Sequence, residues 1–222
     1  MIPEESVWIG ENILELTTKV ENPLLLNVGS STKNFREVQQ PHVYQNIFRV
    51  LMDKNIKVTH LDIKQDEGVD IVGDLNEPGF LQLIQAKKYP ILLCSNLLEH
   101  ILDPGKICKA LENSVAKSGY VIVTGPYVYR HHNDPIDTMF RPSPEELHKL
   151  FPNCDLIKGE VLEINDTFFK GLMRDPRELM VILIRLITPF YKFTIWKNLV
   201  FKSLPYLFTR FKVTCVVLKR KD

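Results

Sequence analysis

The sequence predicts an α/β fold, a doubly wound Rossmann-like sheet that is mostly parallel and ends in an antiparallel strand. Apolar runs without polar alternation are typical of parallel strands covered on both faces. Five such runs alternate with helical patterns through short connections. Two further β-rich runs, residues 156–164 and 213–219, are expected to close the sheet as an antiparallel pair. The 222 residues, of which 45% are hydrophobic, fit a single domain.

The apolar spacing predicts the elements in chain order. Pro104 opens a helix that residues 117–119 are expected to end, and Ser143 with Glu146 has the spacing of a capping box. The strands are expected at residues 24–29, 57–63, 69–75, 89–96 and 120–126. The helices are expected at residues 1–20, as an N-terminal cover, and at residues 43–51, 80–84, 104–115 and 144–151.

A basic and aromatic insertion, residues 169–211, precedes the last strand and is expected to be a helical cap. Between Lys170 and Lys212, nine Lys or Arg residues stand against two acidic residues, a local charge of +7 in a chain of net charge +1. Two interpretations stay open: the aromatic residues pack on the core while the cations reach solvent, or the segment contacts an anionic membrane or covers an apolar, lipid-linked acceptor. Nucleic acid is a weaker interpretation, because no motif that reads bases accompanies the cations.

The cysteines and the N-terminus favour a cytosolic protein. Cys94, Cys108, Cys154 and Cys215 are widely spaced and mostly lie in apolar runs, as expected of reduced core residues. The acidic start at residues 1–5 does not have the pattern of a secretory signal. The longest uncharged runs fall far short of the roughly 20 residues of a membrane span.

Polar residues end four of the predicted strands. Doubly wound sheets bind ligands outside the carboxyl ends of their strands. Gly29 ends the first predicted strand, and a turn of small residues follows it, where a helix N-terminus can face a ligand. The polar residues at the strand ends are Asn27, Asp62, Asp74 and Asn96.

Three stretches in this order resemble a known family. Residues 95–104 read Ser-Asn-Leu-Leu-Glu-His-Ile-Leu-Asp-Pro, residues 117–126 read Lys-Ser-Gly-Tyr-Val-Ile-Val-Thr-Gly-Pro, and residues 137–147 read Asp-Thr-Met-Phe-Arg-Pro-Ser-Pro-Glu-Glu-Leu. The combination is similar to the class I S-adenosylmethionine-dependent methyltransferases, in the type 11-like group with a Leu-Glu-His signature. The resemblance covers residues 24–151.

The resemblance implies a site for S-adenosylmethionine. Asp62 would accept hydrogen bonds from the ribose hydroxyls, as acidic residues do for dinucleotides. The expected cofactor-binding residues are Asn27, Gly29 and Ser31 at the methionine end, Asp62 at the ribose, Asp74 and Leu75 at the adenine, and Asn96 at the methionine portion. Asp66 and Asp70 compete with Asp74 for its role. The first motif departs from the family, since Asn27 stands in place of an acid and Gly29 is the one glycine retained.

The loop after the fifth strand is where this fold places acceptor-binding groups. Histidine has an unperturbed pKa near 6.5 and can take a proton at neutral pH. Alternatively, these side chains order the loop by bonding Arg130 or Arg141, and an internal salt bridge is the favoured role of Arg141. The candidate bases are His131, His132, Asp134 and Asp137.

No metal site is predicted. The histidines at positions 42, 60, 100 and 148 lack ligand spacing. Glu99 and His100 belong to the signature and are expected to shape the turn and cap the helix at Pro104 rather than to act in catalysis.

The function predicted from the sequence is methyl transfer from S-adenosylmethionine to a small-molecule or glycan acceptor, at oxygen. A different class stays open: a non-catalytic scaffold that keeps the fold, motivated by the altered first motif. A nicotinamide-dependent oxidoreductase is disfavoured, because the Gly-x-Gly-x-x-Gly turn is absent from the sequence. The oligomeric state is not predicted.

Overall fold

The structure, a computed structural model, describes residues 1–132 and 136–222, and these contain one mixed sheet. Its strands are Leu24–Val28 (β1), Lys57–Asp62 (β2), Ile71–Val72 (β3), Tyr89–Ser95 (β4), Val115–Val128 (β5), Cys154–Thr167 (β6) and Arg210–Arg220 (β7). The strand order is β3-β2-β1-β4-β5-β7-β6. The first five strands pair in parallel, and β7 pairs antiparallel with both β5 and β6. The predicted fold class is therefore confirmed, including the antiparallel end.

Helices connect the strands and cover both faces of the sheet. The main helices are Pro3–Thr17 (α1), Pro78–Lys87 (α2), Pro104–Ser114 (α3), Pro144–His148 (α4), Phe168–Arg174 (α5), Pro176–Ile187 (α6) and Phe193–Asn198 (α7). Short helical segments occupy Phe35–Gln39, Pro41–Val43, Tyr44–Phe48, Arg49–Met52, Leu98–His100, Leu199–Ser203 and Leu204–Tyr206. The capping box at α4 is present: Ser143 accepts from the Glu146 amide and Glu146 accepts from the Ser143 amide.

Two apolar cores lie on the two faces of the sheet, because successive side chains of a strand point in opposite directions. On one face Leu25 and Leu93 pack with Ile9 and Ile13 of α1. On the other face the neighbouring strand residues, such as Leu92, pack with α3. A sheet buried on both sides explains why its strands are continuous apolar runs.

Element boundaries differ from the sequence prediction, most clearly after the helix that begins at Pro104 and at the third strand. The helix that begins at Pro104 ends at Ser114, and residues 117–119 lie inside β5 rather than ending the helix. Val115 already pairs with Tyr89, and the register shifts before Tyr120 pairs with Ile91. Local turn residues therefore mark an irregularity within a strand pairing. The third strand shrinks to two residues, since only Leu61 and Asp62 pair with it.

The insertion before β7 is helical but leaves much apolar surface exposed. In α6 Ile182 is buried, whereas Ile187 is 80% exposed and Phe190, just after the helix, is 97% exposed. Within the described residues, no helix combines the length and apolar character needed to cross a bilayer. The four cysteines are buried and unpaired with one another, as the sequence predicts.

Candidate functional site

Asp62 is the centre of the carboxyl edge of β1 and β2. One carboxylate oxygen, Oδ2, accepts from the Ser31 amide at 2.7 Å, and the other, Oδ1, accepts from the Lys64 amide at 3.0 Å. Ser31 has φ +53° and Gly29 has φ +69°, so the chain turns sharply between β1 and the carboxylate. A Cβ added at Gly29 would lie 3.1 Å from the Leu97 side chain. Gly29, Ser31 and Asp62 therefore converge as predicted.

Arg36 holds this turn in place. Its guanidinium donates to the carbonyls of Ser30 at 3.0 Å, Ser31 at 2.6 Å and Gly68 at 2.7 Å. Burial lowers the pKa of Arg36, against the opposing effect of Glu37, Asp70 and Asp62. Arg36 was not predicted from the sequence, because nothing in the local spacing marks a side chain that folds back on the preceding turn.

Asn27 is buried inside the sheet and bonded to a neighbouring strand. Its Nδ2 lies 3.1 Å from Nδ1 of His60 on β2. Burial and the nearby Arg36 charge lower the pKa of His60 to about 4, although Asp70 opposes this. An amide N–H can only donate, so the His60 Nδ1 must carry a lone pair. The amide thus has a structural partner at the position where the family has an acid.

The loop after β3 lies beside Asp62. The Gly73 amide donates to the Asp62 carbonyl at 3.1 Å. Asp74 accepts from the backbone and side-chain nitrogens of Asn76, and Leu75 is buried. Asp70 instead accepts from the His60 amide at 2.7 Å. The predicted adenine-side residues therefore lie next to the ribose-side residue.

Asn96 directly follows β4 with φ +49°, and its side chain turns toward α1. Glu5 of α1 is fully buried and accepts from Asn96 Nδ2 at 2.7 Å and from Thr124 Oγ1 at 2.5 Å. The N-terminal cover is thus tied to the ends of β4 and β5. Glu5 was not predicted, since its partners lie 91 and 119 residues away in sequence.

These strand ends fit S-adenosylmethionine in their donor and acceptor chemistry. A carboxylate offers about four lone-pair positions, and Asp62 uses one on each oxygen for a backbone amide. Each oxygen therefore keeps capacity for one of the two ribose hydroxyls. The backbone of Gly29 carries no side chain where the cofactor's amino-acid end would approach.

Asp137 anchors the loop after β5. It accepts from Arg141 Nη2 at 2.7 Å, from the Met139 amide at 2.8 Å and from the His132 amide at 3.1 Å. Burial alone would raise the pKa of Asp137, but these bonds hold it well below its usual range. A carboxylate so stabilised is a poor base, which argues against the predicted role of Asp137 as a catalytic base. The predicted salt bridge of Arg141 is confirmed.

The two adjacent histidines of this loop, His131 and His132, have different contacts. The His131 amide donates to the Lys202 carbonyl at 3.0 Å, and its carbonyl accepts from Ser203 Oγ at 3.3 Å. Burial lowers the pKa of His131, partly offset by Asp137. His132 instead packs edge-on against His100, with ring centroids 5.2 Å apart. Asp134, another predicted base, lies outside the described residues.

Glu99 is buried beside both His100 and His132. Its Oε1 lies 3.9 Å from His100 Nε2, and its exposed fraction is 2%. Burial raises the pKa of Glu99, while the nearby charges of His100, His132 and Arg141 oppose the shift. Neither residue caps α3, because Asp103 accepts from the Lys106 amide there. The predicted capping role of Glu99 and His100 is therefore wrong.

Three solved structures that share this architecture carry methyltransferase names. A candidate sarcosine dimethylglycine methyltransferase from Galdieria sulphuraria matches 98% of this chain and 85% of its own, with TM-score 0.57 and 12% identity. Coclaurine N-methyltransferase bound to N-methylheliamine and SAH matches 98% of this chain and 71% of its own, with TM-score 0.56 and 14% identity. A candidate methyltransferase from Bacillus halodurans C-125 matches 96% of this chain and 100% of its own, with TM-score 0.55 and 12% identity. The chain has the class I methyltransferase fold.

No protein-family model and no curated protein matches the chain. At 12–14% identity the likeness to the solved structures is one of fold. One fold carries many activities, so the activity of this methyltransferase fold has to be argued from its site.

Proposed function

We propose that the chain is an S-adenosylmethionine-dependent methyltransferase that acts on a small-molecule or glycan acceptor, at oxygen. The observation that carries this proposal is the Asp62 carboxylate beside the Gly29 turn in a class I methyltransferase fold. The cofactor supplies a methyl group that is already activated on a sulfonium. The protein's contribution is therefore mainly to hold the two reactants in line.

Each strand end has a role in holding the cofactor. Asp62 accepts from the ribose hydroxyls, while Arg36 keeps the Gly29 turn in the conformation that exposes its backbone. Leu75 and Leu97 supply apolar surface for the adenine and the methionine chain. Glu5 fixes Asn96 at the end of β4 and so closes this side of the site.

The acceptor lies, in this proposal, against the loop after β5. A hydroxyl acceptor has to lose a proton, and a neutral histidine can take it. His131 and His132 remain the candidate bases, because Asp137 is committed to Arg141. Replacement of both histidines by Ala is expected to lower turnover and leave cofactor affinity unchanged; unaltered turnover would remove both from the mechanism.

Calorimetry with S-adenosylhomocysteine tests the cofactor proposal. The wild-type chain is expected to bind one equivalent, and Asp62→Ala is expected to bind about 100-fold more weakly, since two hydrogen bonds to a charged acceptor are lost. Asp175→Ala is the matched control, because it also removes a carboxylate that accepts two backbone amides, those of Arg177 and Glu178. The absence of wild-type binding at millimolar ligand would overturn the proposal.

The same experiment separates the enzyme from a non-catalytic scaffold. An enzyme is expected to convert S-adenosylmethionine to its demethylated product with at least one member of a broad acceptor panel. Binding without consumption of the cofactor across that panel would favour the scaffold instead.

We also propose that the insertion contacts an anionic membrane, where an apolar or lipid-linked acceptor would be available. Apolar side chains at α6 and beyond are exposed beside Arg185 and Lys192, an arrangement that suits the headgroup boundary. Ile187 and Phe190 are the most exposed of them. In this proposal the protein is cytosolic and contacts the membrane from that side. Its buried free cysteines support a cytosolic location, because disulfides are rare in that compartment.

Liposome flotation tests this contact. Wild-type protein is expected to float with anionic vesicles and to remain behind with neutral ones. A double substitution, Ile187→Ser with Phe190→Ser, is expected to abolish flotation. Leu83→Ser on α2, which removes an apolar side chain that is 67% exposed elsewhere, is the control and is expected to float as wild type does. Equal flotation on neutral and anionic vesicles would contradict the proposal.

A further inference from the structure

Glu99, His100 and His132 form a cluster at the end of β4. One ligand atom from each of the three lies within 4.8 Å of the other two. Glu99 and His100 belong to the turn Leu98–His100, and His132 comes from the loop after β5. Two imidazoles with one carboxylate is the ligand set of several catalytic zinc and iron sites.

The backbone around the cluster is fixed by bonds that leave the ligand atoms free. The Glu99 carbonyl accepts from the amide and the hydroxyl of Thr138, at 2.9 Å and 3.0 Å. His100 Nδ1 bonds the Ile136 carbonyl. A carbonyl can only accept, so His100 carries its proton on Nδ1 and presents a lone pair on Nε2, the atom that lies toward Glu99.

His132 is oriented in the same way by a carboxylate. Its Nδ1 lies 3.2 Å from Asp137 Oδ2, at an angle too poor for a regular hydrogen bond. A proton on Nδ1 is favoured by that carboxylate, which leaves Nε2 as the available lone pair. Imidazoles that ligate metals commonly donate their other nitrogen to a carbonyl or a carboxylate, and here one histidine has each.

One carboxylate oxygen of Glu99 is buried without a hydrogen bond to any of the described residues. Among the described residues, Glu99 Oε2 has no hydrogen-bond partner although the residue is only 2% exposed. Leaving such a group without a hydrogen bond destabilises the folded state, and more so when the group is charged. Buried carboxylates are normally paired or bound to a metal.

We propose that Glu99, His100 and His132 bind one divalent transition-metal ion, with Zn²⁺ as the best match to two imidazoles and a carboxylate. Ligands about 2.1 Å from a shared ion are about 3.4 Å apart in a tetrahedral site, so small side-chain rotations have to bring these atoms together. Mg²⁺ prefers oxygen ligands and is disfavoured. Three protein ligands leave a position for water or for an acceptor oxygen. This assignment leaves His131 as the base of the proposed methyl transfer.

Metal binding is measured without cofactor or acceptor, so its outcome does not depend on the proposed methyl transfer. Untagged protein treated with a chelator is titrated with Co²⁺, followed by visible absorption, and with Zn²⁺, followed by calorimetry. The variants are Glu99→Gln, which keeps the side-chain shape, and His132→Ala. His148→Ala is the control, because His148 is also partly buried and bonded to a backbone carbonyl, that of Cys154.

Wild type and His148→Ala are expected to bind one equivalent of each ion, and both cluster variants to bind about 100-fold more weakly. Zn²⁺ is also expected to raise the melting temperature of wild type but not of Glu99→Gln. Absence of a one-to-one complex in the wild type, or equal affinity in wild type and Glu99→Gln, would overturn the proposal. A His132→Ala chain that fails to fold leaves the comparison with Glu99→Gln decisive.

Discussion

His60 is expected to make the protein less stable in mild acid. The neutral ring accepts from Asn27 inside the sheet, and its pKa is lowered from 6.5 to about 4 by burial and by Arg36. The unfolded chain therefore binds the proton more readily than the folded chain. Stability from this group is complete above pH 6.5 and is lost as the pH falls toward 4.

The size of the effect follows from the two pKa values. At about pH 5 a group with an unfolded pKa of 6.5 and a folded pKa near 4 costs the folded state about 2 kcal/mol, and at about pH 7.5 it costs almost nothing. Two kcal/mol is a large share of the net stability of a typical domain. Protonation also removes the lone pair that Asn27 needs, so the pairing of β1 with β2 weakens with it.

Urea unfolding at these two pH values measures the effect. In His60→Gln the side-chain oxygen can still accept from Asn27 but does not titrate, so about 2 kcal/mol of the wild-type pH dependence is expected to disappear. His131, whose pKa burial also lowers, contributes in the same direction in both proteins. His42→Gln is the control, since His42 bonds the Met1 carbonyl on another element. An unchanged pH dependence in His60→Gln would show that His60 does not cause the loss of stability in mild acid.

Three further predictions concern buried charges. Arg141→Ala removes the ion-pair partner of the fully buried Asp137 side chain and is expected to lower the free energy of unfolding by about 3–5 kcal/mol. Arg210→Ala, whose partner Glu163 is 44% exposed, is expected to lower it by less than about 1 kcal/mol. Equal losses for the two variants in urea unfolding would contradict this prediction. Glu5→Ala removes the acceptor of Asn96 and Thr124 and is expected to cost about 2–4 kcal/mol in the same assay, and a loss below about 1 kcal/mol would show that the two donors find other partners. The lowered pKa of Asp137 stabilises the folded chain above the ordinary Asp pKa of about 3.9, and this stability is lost as the pH falls below that value. In Asp137→Asn the free energy of unfolding is therefore expected to fall less between neutral and acid pH than in the wild type. An equal fall in both proteins would contradict this prediction.

The strand ends could be predicted because their signal is local. Each apolar run ends in a polar residue, and the rule for doubly wound sheets places those ends together. Gly29, Ser31 and Asp62 converge for this reason. The helix boundary at Ser114 could not be predicted in the same way, since pairing of Val115 with Tyr89 outweighs the local turn preference of residues 117–119.

The residues that sequence reasoning missed act over long separations. Glu5 reaches the ends of β4 and β5, and Arg36 folds back onto the loop at Gly68. Ligand-spacing rules found no metal site because His132 is brought to Glu99 by the fold rather than by a short motif. Asn27 stands where the resembled family has an acidic residue, and its side chain bonds His60 on the neighbouring strand. The sequence at position 27 alone does not reveal this partner.

A crystal structure of the chain with S-adenosylhomocysteine would show directly whether the strand ends at Gly29 and Asp62 bind the cofactor. Both ribose hydroxyls are expected to bond the Asp62 carboxylate, the amino-acid end is expected over Gly29, and the sulfur is expected to face the loop that carries His131 and His132. A ligand bound elsewhere, or a ribose with no contact to Asp62, would contradict this expectation.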